Sequence, residues 1–438
     1  MHLTPVSGEK GGCPDMLIVT CPSSGSMMWN EQWLTSVATM EVESTSGDHD
    51  IVRIYDELTD GHTQYLRVSE LVYAAAERFP GLVATRAAID AERTLLQKDK
   101  AGLEIAQGDF VARVLTERTT GLHLLHAMSL PTAAALARRE EFEKSGSVDL
   151  GPVRVDRDGA LGRVTIQNLE VLNAEDDASV AALETAVDLV LLDDRIDVGV
   201  LRGGMATHPK YAGRRILGSG INLTSLYHGQ ISLVEFMIER ELGALTKMYR
   251  GHRVVSEEDG ILEPGEKPWI AALETFAIGG ACQWLLVMDH VVAGKGSYFN
   301  LPANKEGIIP GCGALRLPRF VGGRLARQAI LFDRTFPVDE PEGRLVVDEV
   351  VDAEAVGPVI ERAAEMLTKV GMTALRANRR MLRLIDEPLD RFRLYMGMYA
   401  REQARCLYSP GLIANLERNW DAAHRRRPTA GARESPTA

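Results

Sequence analysis

The sequence has few cysteines, and no two of them stand at a metal-binding or redox spacing. Five cysteines are spread over 438 residues, and such an odd, scattered set argues against a disulfide framework and against a structural zinc site. No stretch approaches the ~18 consecutive apolar residues that a membrane-spanning helix requires. We therefore expect a cytoplasmic protein with reduced thiols and no membrane partner.

Positive charge is also scarce. The 49 lysines and arginines are outnumbered by 61 aspartates and glutamates, which gives a formal net charge of −12. Binding to nucleic acid depends largely on clustered lysine and arginine, so we expect no nucleic-acid partner. No HExxH motif, no two-histidine-one-carboxylate spacing and no flavin fingerprint stands out, so the sequence gives no sign of a metal or a flavin.

The first third of the chain divides into two parts. Residues 1–45 are rich in Ser, Gly and Pro and lack periodicity, which predicts a disordered leader. Residues 46–146 repeat apolar positions at three- and four-residue spacing, which predicts a helical N-terminal domain. The stretch "SGSVDLGP" interrupts this pattern, and we place the boundary near Gly146.

The remaining sequence alternates strand-like and helix-like segments. Over residues 147–375 this alternation predicts a sheet with crossover helices, including an amphipathic helix over 232–249. Residues 376–420 keep a helical pattern, and residues 421–438 read as a polar, disordered tail. The predicted class is therefore α/β, with helices added at both ends.

Three glycine-rich loops follow one another in this region. They read "GSGINL", "AIGGACQ" and "IIPGCGALRLPR", and "VLNA" precedes them after the first strand. A glycine turn that opens a helix exposes backbone N–H groups and suits a negative charge. Each loop alone is equally typical of a tight strand-to-helix turn. In this order and spacing, however, the set resembles the crotonase superfamily of acyl-CoA enzymes over roughly residues 150–375.

This resemblance implies a fold, an assembly and a site. The fold would be a crotonase-type ββα spiral whose C-terminal helices trimerise the protein, as a homotrimer or a homohexamer. The backbone N–H groups of Ile221 and Gly280 would form an oxyanion hole for a thioester carbonyl as it becomes an enolate. Preset donors of this kind need no reorganisation when the charge develops.

Two positions depart from the hydratases of the superfamily, which resemble each other in two glutamates that handle water. Here the first position holds Gln283 and the second holds Ala303, while Glu306 lies nearby but displaced from the motif position. Adding water across a double bond needs a group that accepts and returns a proton. We therefore do not expect enoyl-CoA hydration.

The chain is most similar to a branch of the superfamily that oxygenates arylacetyl-CoA thioesters. The helical extension, "GRRILGSGINLTSLYHG", the glutamine after the glycine turn and "NKEGIIPGCGALRLPR" carry this resemblance over about residues 50–420. It implies that 3,5-dihydroxyphenylacetyl-CoA and O₂ give 3,5-dihydroxyphenylglyoxylate and CoA, without cofactor or metal. The product would serve as a precursor in glycopeptide antibiotic biosynthesis.

The same resemblance assigns roles to further residues. Glu175, Arg240 and Gln283 would recognise the ring hydroxyls, and Ile308 would line a small apolar pocket for O₂. Arg214 and Arg215, just before the first loop, are candidates for binding the CoA phosphates. The Cα base is not identified.

An ordinary structural role remains an alternative for each of these residues. Glu175 suits a helix N-terminus, Arg240 suits a solvated ion pair, and Gln283 and Ile308 suit ordinary helix and core positions. The two arginines also suit a solvated turn, and His228 suits the surface. For the whole protein, the alternatives are another enolate-forming crotonase, such as an isomerase or thioesterase, and a non-catalytic acyl-CoA-binding scaffold.

Overall fold

A computed structural model of the chain describes residues 48–253, 264–369 and 371–427, with the backbone alone at 48–50 and at 264. The chain divides into two units, Met1–Asp50 and Ile51–Ala438. The three sheets, the apolar cores and the candidate site belong to the second unit. The predicted leader, 1–45, and the last part of the predicted tail, 428–438, lie outside the described residues.

Helices open and close the described chain. In order they are α1 (Asp48–Thr59), α2 (Val68–Arg78), α3 (Arg86–Glu92), α4 (Glu104–Thr116), α5 (Arg118–Ser129), α6 (Ala133–Ser145), α7 (Asp177–Leu192), α8 (Leu223–Tyr227), α9 (Thr246–Arg250), α10 (Gly280–Leu285), α11 (Ala303–Glu306), α12 (Gly313–Phe332), α13 (Val356–Lys369), α14 (Met372–Asp386), α15 (Leu389–Leu407) and α16 (Pro410–Trp420). Helix α6 ends at Gly146, whose left-handed backbone (φ 70°) suits a residue without a β-carbon.

The strands lie between these helical regions. They are β1 (Ser147–Asp149), β2 (Val153–Asp158), β3 (Leu161–Ile166), β4 (Val198–Gly203), β5 (His252–Arg253), β6 (Pro264–Gly265), β7 (Trp269–Leu273), β8 (Phe276–Ile278), β9 (His290–Gly294), β10 (Tyr298–Asn300), β11 (Phe336–Pro337) and β12 (Glu349–Val351). A seven-stranded sheet has the order β1-β2-β3-β4-β7-β9-β12, and a smaller sheet has the order β11-β10-β8.

The larger sheet is parallel from β3 onward, with Val200 opposite Ile270 and Ala272 opposite Val292. Helix α7 packs on one face and α13 on the other. Strand β7, "WIAAL", is buried along its whole length, as expected for a parallel strand covered on both faces. The predicted sheet with crossover helices is therefore present.

The N-terminal helices share one apolar core with the C-terminal helices. Helix α4 packs along α15, and Gly108 allows this approach because a β-carbon there would stand 2.7 Å from Ala404 Cβ. The same core includes Ile221, Cys312 and side chains of the segment 233–242. The helices before β1 thus form part of the wall around the loops that the sequence singled out.

The segment predicted as one amphipathic helix over 232–249 has a more specific shape. It contains two π-helical stretches, Leu233–Ile238 and Glu241–Leu245, before α9 completes it. π-Helical turns are frequent at functional sites, and here Arg240 stands between the two stretches. Almost every side chain of the segment is buried, so it forms an interior wall and not a surface helix.

Part of the predicted tail is packed against the helical region. Ala422 is buried in a short 3₁₀ turn, Ala422–His424. The guanidinium of Arg427 donates to the carbonyl oxygens of Thr94 and Arg93, each at 2.7 Å. Ordered contacts therefore continue seven residues beyond the end of α16 at Trp420. Across the described ranges, every helix is too short or too polar to cross a bilayer.

Candidate active site

Two of the glycine loops meet at the ends of their strands. Ile278 N donates to Gly218 O at 3.1 Å, and Gly279 N donates to Asn300 O at 3.0 Å. On the other side, Glu175 N donates to Gly220 O at 2.7 Å. These bonds hold the loop after β4 and the turn after β8 against each other.

The backbone donors at Ile221 and Gly280 are left free by this arrangement. Within the described ranges neither N–H donates to a protein acceptor. Gly280 opens α10, where an N–H has no partner inside the helix. Gly220 has a φ of +83°, and a β-carbon there would stand 3.0 Å from Ile278 O and 3.5 Å from Gly280 N. A side chain at position 220 would therefore crowd the space between the two donors.

Arg240 organises the polar side of the site. Its Nε and Nη2 donate to Glu175 Oε2 and Oε1 at 2.5 and 3.1 Å. Its Nη1 donates to Glu241 Oε1 at 2.7 Å and to Gln283 Oε1 at 3.4 Å, and Nη2 also reaches Gly280 O at 2.8 Å. These contacts use all five N–H bonds of the guanidinium. Arg240 thus fixes two carboxylates, the amide and the glycine turn in one network.

The network is buried, which changes how its charges behave. Arg240, Glu175 and Gln283 expose at most 5% of their surface. Burial alone would lower the pKa of the Arg240 guanidinium, but Glu175 and Glu241 raise it above its ordinary value. Arg240 is therefore firmly cationic. The solvated ion pair and the helix-end acid that the sequence left open do not describe Arg240 and Glu175, since Asp176 caps α7 instead.

An inner pocket joins these groups to apolar side chains. It measures about 40 Å³, room for a few molecules of the size of water or O₂. Six residues predicted as site residues line it: Glu175, Ile221, Arg240, Gly280, Gln283 and Ile308. The structure therefore brings together most of the predicted site.

A larger outer cleft, of about 640 Å³, leads to this pocket. Aromatic side chains line part of it, namely Tyr211, Phe276, Tyr298 and Trp420. Ile221 and Glu306 line both the inner pocket and the outer cleft. These two residues mark the junction between the spaces.

Glu306, to which sequence reasoning assigned no role because it is displaced from the motif position, lines both spaces. It follows Ala303 by three positions on α11, so the two side chains lie on neighbouring positions of one helix face. Burial, with the nearby Asp333 carboxylate, raises the pKa of Glu306 to about 8. The three-residue spacing was the available signal, since a carboxyl can reach the motif position from one turn away.

Arg214 and Arg215 line neither the inner pocket nor the outer cleft. Arg214 is exposed, and Arg215 Nη1 donates to Gly203 O at 3.1 Å. Lys305, which the sequence did not single out, lines the outer cleft, and so does Arg425, the first of three consecutive arginines in the predicted tail. His228 is buried and its Nδ1 lies 2.9 Å from Thr224 O, so it is not the surface histidine that the sequence suggested.

No set of three or more His, Cys, Asp or Glu side chains in 48–253, 264–369 and 371–427 is arranged to hold a metal ion. The arrangement can bind an oxyanion at two backbone donors. The same pocket also contains an amide, a buried guanidinium network and, among the described residues, one unpaired carboxyl.

The fold and this pair of donors define a protein of the crotonase class. A model of the enoyl-CoA hydratase/isomerase family matches residues 252–393. The chain is 48% identical over 363 residues to the (3,5-dihydroxyphenyl)acetyl-CoA 1,2-dioxygenase of Amycolatopsis orientalis, covering 83% of this chain and 82% of that one. The chain therefore belongs to the crotonase family, as its loops predicted.

More distant relatives agree with the fold. The crotonyl-CoA hydratase of Syntrophomonas wolfei is 26% identical over 51% of this chain and 78% of its own. The crystal structure of an enoyl-CoA hydratase/isomerase from Pseudoalteromonas atlantica T6c superposes with a TM-score of 0.50 at 20% identity, over 64% of this chain and 100% of that one. The predicted crotonase fold, with helices before and after it, is confirmed.

Proposed function

We propose that this chain is a dioxygenase that converts 3,5-dihydroxyphenylacetyl-CoA and O₂ to 3,5-dihydroxyphenylglyoxylate and CoA. One observation carries the proposal: Ile221 and Gly280, whose N–H groups donate to no protein acceptor in the described ranges, line the inner pocket together with an amide and an alanine where hydratases have glutamates. The 48% identity to a dioxygenase with this substrate supports it.

The reaction follows from an enolate held at these donors. Loss of one Cα proton places negative charge on the thioester oxygen, where the two N–H groups stabilise it; one such donor is typically worth about 2.7–4 kcal/mol. The enolate carbon then reduces O₂ and forms a Cα–O bond, and the resulting peroxide attacks the thioester carbonyl. CoA leaves as the thiolate. The O–O bond breaks as the second Cα proton departs, which gives the α-keto acid.

The polar network around Arg240 recognises the hydroxyl groups of the substrate ring. Glu175 and Gln283 accept hydrogen bonds from the ring hydroxyls, whereas Arg240, with every N–H in use, positions them. The inner pocket is smaller than the roughly 150 Å³ that a benzene-sized guest occupies. Side chains such as Ile308 therefore move when the ring enters, and the residual space is left for O₂.

The CoA part of the substrate lies in the outer cleft. Its phosphates bind basic side chains through charge-assisted hydrogen bonds. Arg214 and Arg215 remain our candidates from the sequence, and Lys305 and Arg425 join them because they line the cleft. The enolate reduces O₂ directly, so the enzyme works without a cofactor or a metal, in the cytoplasm, as a step toward a glycopeptide antibiotic precursor.

We also propose a homotrimer, or a pair of trimers, formed through the C-terminal helices. Helix α14 exposes a run of large apolar side chains, Met381, Leu382, Leu384 and Ile385, each at least 60% exposed. An apolar face of this kind is typical of an interface between subunits. Sedimentation equilibrium tests it: a monomer at micromolar concentration contradicts the assembly.

An oxygen electrode tests the function. The chelator-treated protein is mixed with 3,5-dihydroxyphenylacetyl-CoA, and O₂ uptake is followed together with release of free CoA thiol. Uptake and release in equal amounts support the dioxygenase. Release of CoA or movement of a double bond without O₂ uptake indicates a thioesterase or isomerase, and binding without reaction indicates a scaffold.

A further inference from the structure

Three carboxylates line the inner pocket, and two of them already accept hydrogen bonds from other groups of the protein. Glu175 accepts two hydrogen bonds from Arg240. Glu241 accepts one from Arg240 Nη1 at 2.7 Å and one from the Cys312 N–H at 3.1 Å. Both carboxylates therefore have protein donors on their oxygens and the Arg240 cation beside them.

The third carboxylate, Glu306, differs in both respects. Within the described part of the chain no hydrogen bond or ion pair is formed by its carboxyl oxygens. Glu306 ends α11, and Gly307, with a φ of +88°, turns the chain away behind it. The carboxyl therefore stands at the end of a helical turn with its acceptor sites available.

Its position relative to the oxyanion hole is the second observation. Glu306 shares with Ile221 the junction between the inner pocket and the outer cleft. A thioester whose carbonyl oxygen binds the Ile221 N–H, with CoA in the cleft and the ring in the pocket, has its Cα at this junction. The atom that must lose a proton is thus placed between the hole and Glu306.

We propose that Glu306 is the catalytic base that removes the first Cα proton of the thioester. This assignment rests on the proposed function. The Cα–H bond breaks heterolytically, the proton forms an O–H bond with the Glu306 carboxylate, and the bonding electron pair moves into the enolate. That charge ends on the oxygen held by the Ile221 and Gly280 N–H groups, so the charge of the site is conserved.

The surroundings of Glu306 suit this task. A carboxylate becomes a stronger base when its pKa rises toward the working pH. Burial and Asp333 raise the pKa of Glu306, while Lys305 opposes the shift. Glu306 also stands outside the network of Arg240, so its protonation leaves the ion pairs of Glu175 and Glu241 intact. Ala303, at the position where hydratases carry a glutamate, leaves room beside it.

The experiment measures proton removal without oxygen. The full-length protein is incubated anaerobically in D₂O with 3,5-dihydroxyphenylacetyl-CoA, and deuterium at Cα is followed by mass spectrometry. Glu306→Gln keeps the shape of the side chain and removes the base. Glu354→Gln is the matched control, because Glu354 is exposed and lines neither the inner pocket nor the outer cleft. Thioester affinity is measured for each variant by calorimetry.

We expect Glu306→Gln to slow both exchange and aerobic O₂ uptake by about 10²–10⁴-fold, with thioester affinity within threefold of the parent. Glu354→Gln should exchange at the parent rate. Glu306→Ala should be equally slow and should regain exchange in proportion to added formate, a small carboxylate that can enter the space.

Two results would overturn the assignment. Exchange by Glu306→Gln at the parent rate removes Glu306 as the base, and a loss of thioester affinity that accounts for the whole defect makes it a binding residue. These outcomes differ from failure of the proposed function, in which the parent protein itself neither exchanges Cα–H nor consumes O₂.

Discussion

The Glu175 carboxylate lies against the α-carbon of Gly280, so closely that a β-carbon at position 280 would stand 1.8 Å from Glu175 Oε1. Gly280→Ala must therefore displace either the carboxylate or the turn that carries the N–H donor. We expect kcat for O₂ uptake to fall by about 10²–10³-fold, the usual cost of losing one oxyanion donor. Steady-state measurements in the oxygen electrode check this.

Gly357→Ala is the control for that substitution. Gly357 lies in α13, and a β-carbon there meets no atom within 4 Å, so the change should leave turnover unaltered and slightly favour the helix. Parent-like turnover of Gly280→Ala would mean that the donor is not at residue 280.

The oxygen pocket gives a second prediction. O₂ has two heavy atoms and gains at most roughly 3 kcal/mol on binding, so its affinity is millimolar or weaker. The pocket must act by placing O₂ against the enolate. Ile308→Phe fills a space of about 40 Å³ and should slow turnover at limiting O₂ several-fold while thioester binding persists. Ile308→Val, which fills nothing, is the control, and equal rates for both variants at limiting O₂ would remove Ile308 from the site.

The candidate donors could be predicted through the resemblance to crotonases. Ile221 and Gly280 hold the motif positions in glycine turns that the sequence displays directly. The role of Glu306 could not be predicted, because it depends on which of two positions, one helical turn apart, points into the pocket. The place of Glu241 in the site could not be predicted for a related reason. The π-helical stretches on either side of Arg240 shift the side chains that follow, and no periodicity in the sequence indicates such stretches. The pairing of Arg240 with Glu175 is a contact 65 residues apart, which only packing determines.

Stability should depend on Arg240 as much as activity does. Arg240→Met leaves Glu175 and Glu241 buried without their cation, and breaking a buried pair from one side typically costs about 3–5 kcal/mol. The free energy of unfolding in urea measures this. Arg391→Met, at an exposed position, should change it by less than about 0.5 kcal/mol. Adding Glu175→Gln to Arg240→Met should recover part of the loss, and an unchanged stability of the single variant would contradict the network.

The Glu387 carboxylate should make the free energy of unfolding depend on pH in the acid range. Burial alone would raise the pKa of Glu387, but Arg316, Arg250 and Arg319 lower it from 4.5 to about 2. Because the folded pKa is depressed, the stabilisation is complete above pH 4.5 and is lost as the pH falls toward 2. A shift of this size corresponds to about 3 kcal/mol.

The parent should therefore lose about 3 kcal/mol more than Glu387→Gln when the pH of a urea titration is lowered from 5 to 2. The variant is less stable at pH 7, since it leaves Arg316 buried with a weaker partner. Parallel loss of stability in the two proteins over this interval would show that Glu387 is not the titrating group.

Gln283 explains why the site should favour oxygenation over hydration. Its amide oxygen lies 3.4 Å from Arg240 Nη1 and would stand 2.5 Å from a β-carbon at Gly311, so the side chain is held in the inner pocket that Ile221 and Gly280 also line. A carboxylate ~4 Å from the enolate would oppose it by about 4 kcal/mol at an effective dielectric constant near 20. It would also return a proton to the carbanion before O₂ arrives.

Gln283→Glu should therefore bind the thioester as the parent does, lose most O₂ uptake and exchange Cα–H into D₂O faster under anaerobic conditions. Both assays are run on one preparation, because a folding defect would lower the two together. Adding Glu306→Gln to Gln283→Glu distinguishes the two carboxyls as bases. Exchange that persists in the double variant comes from the carboxyl introduced at position 283. O₂ consumption by Gln283→Glu at the parent rate would mean that the amide is incidental to the choice of reaction.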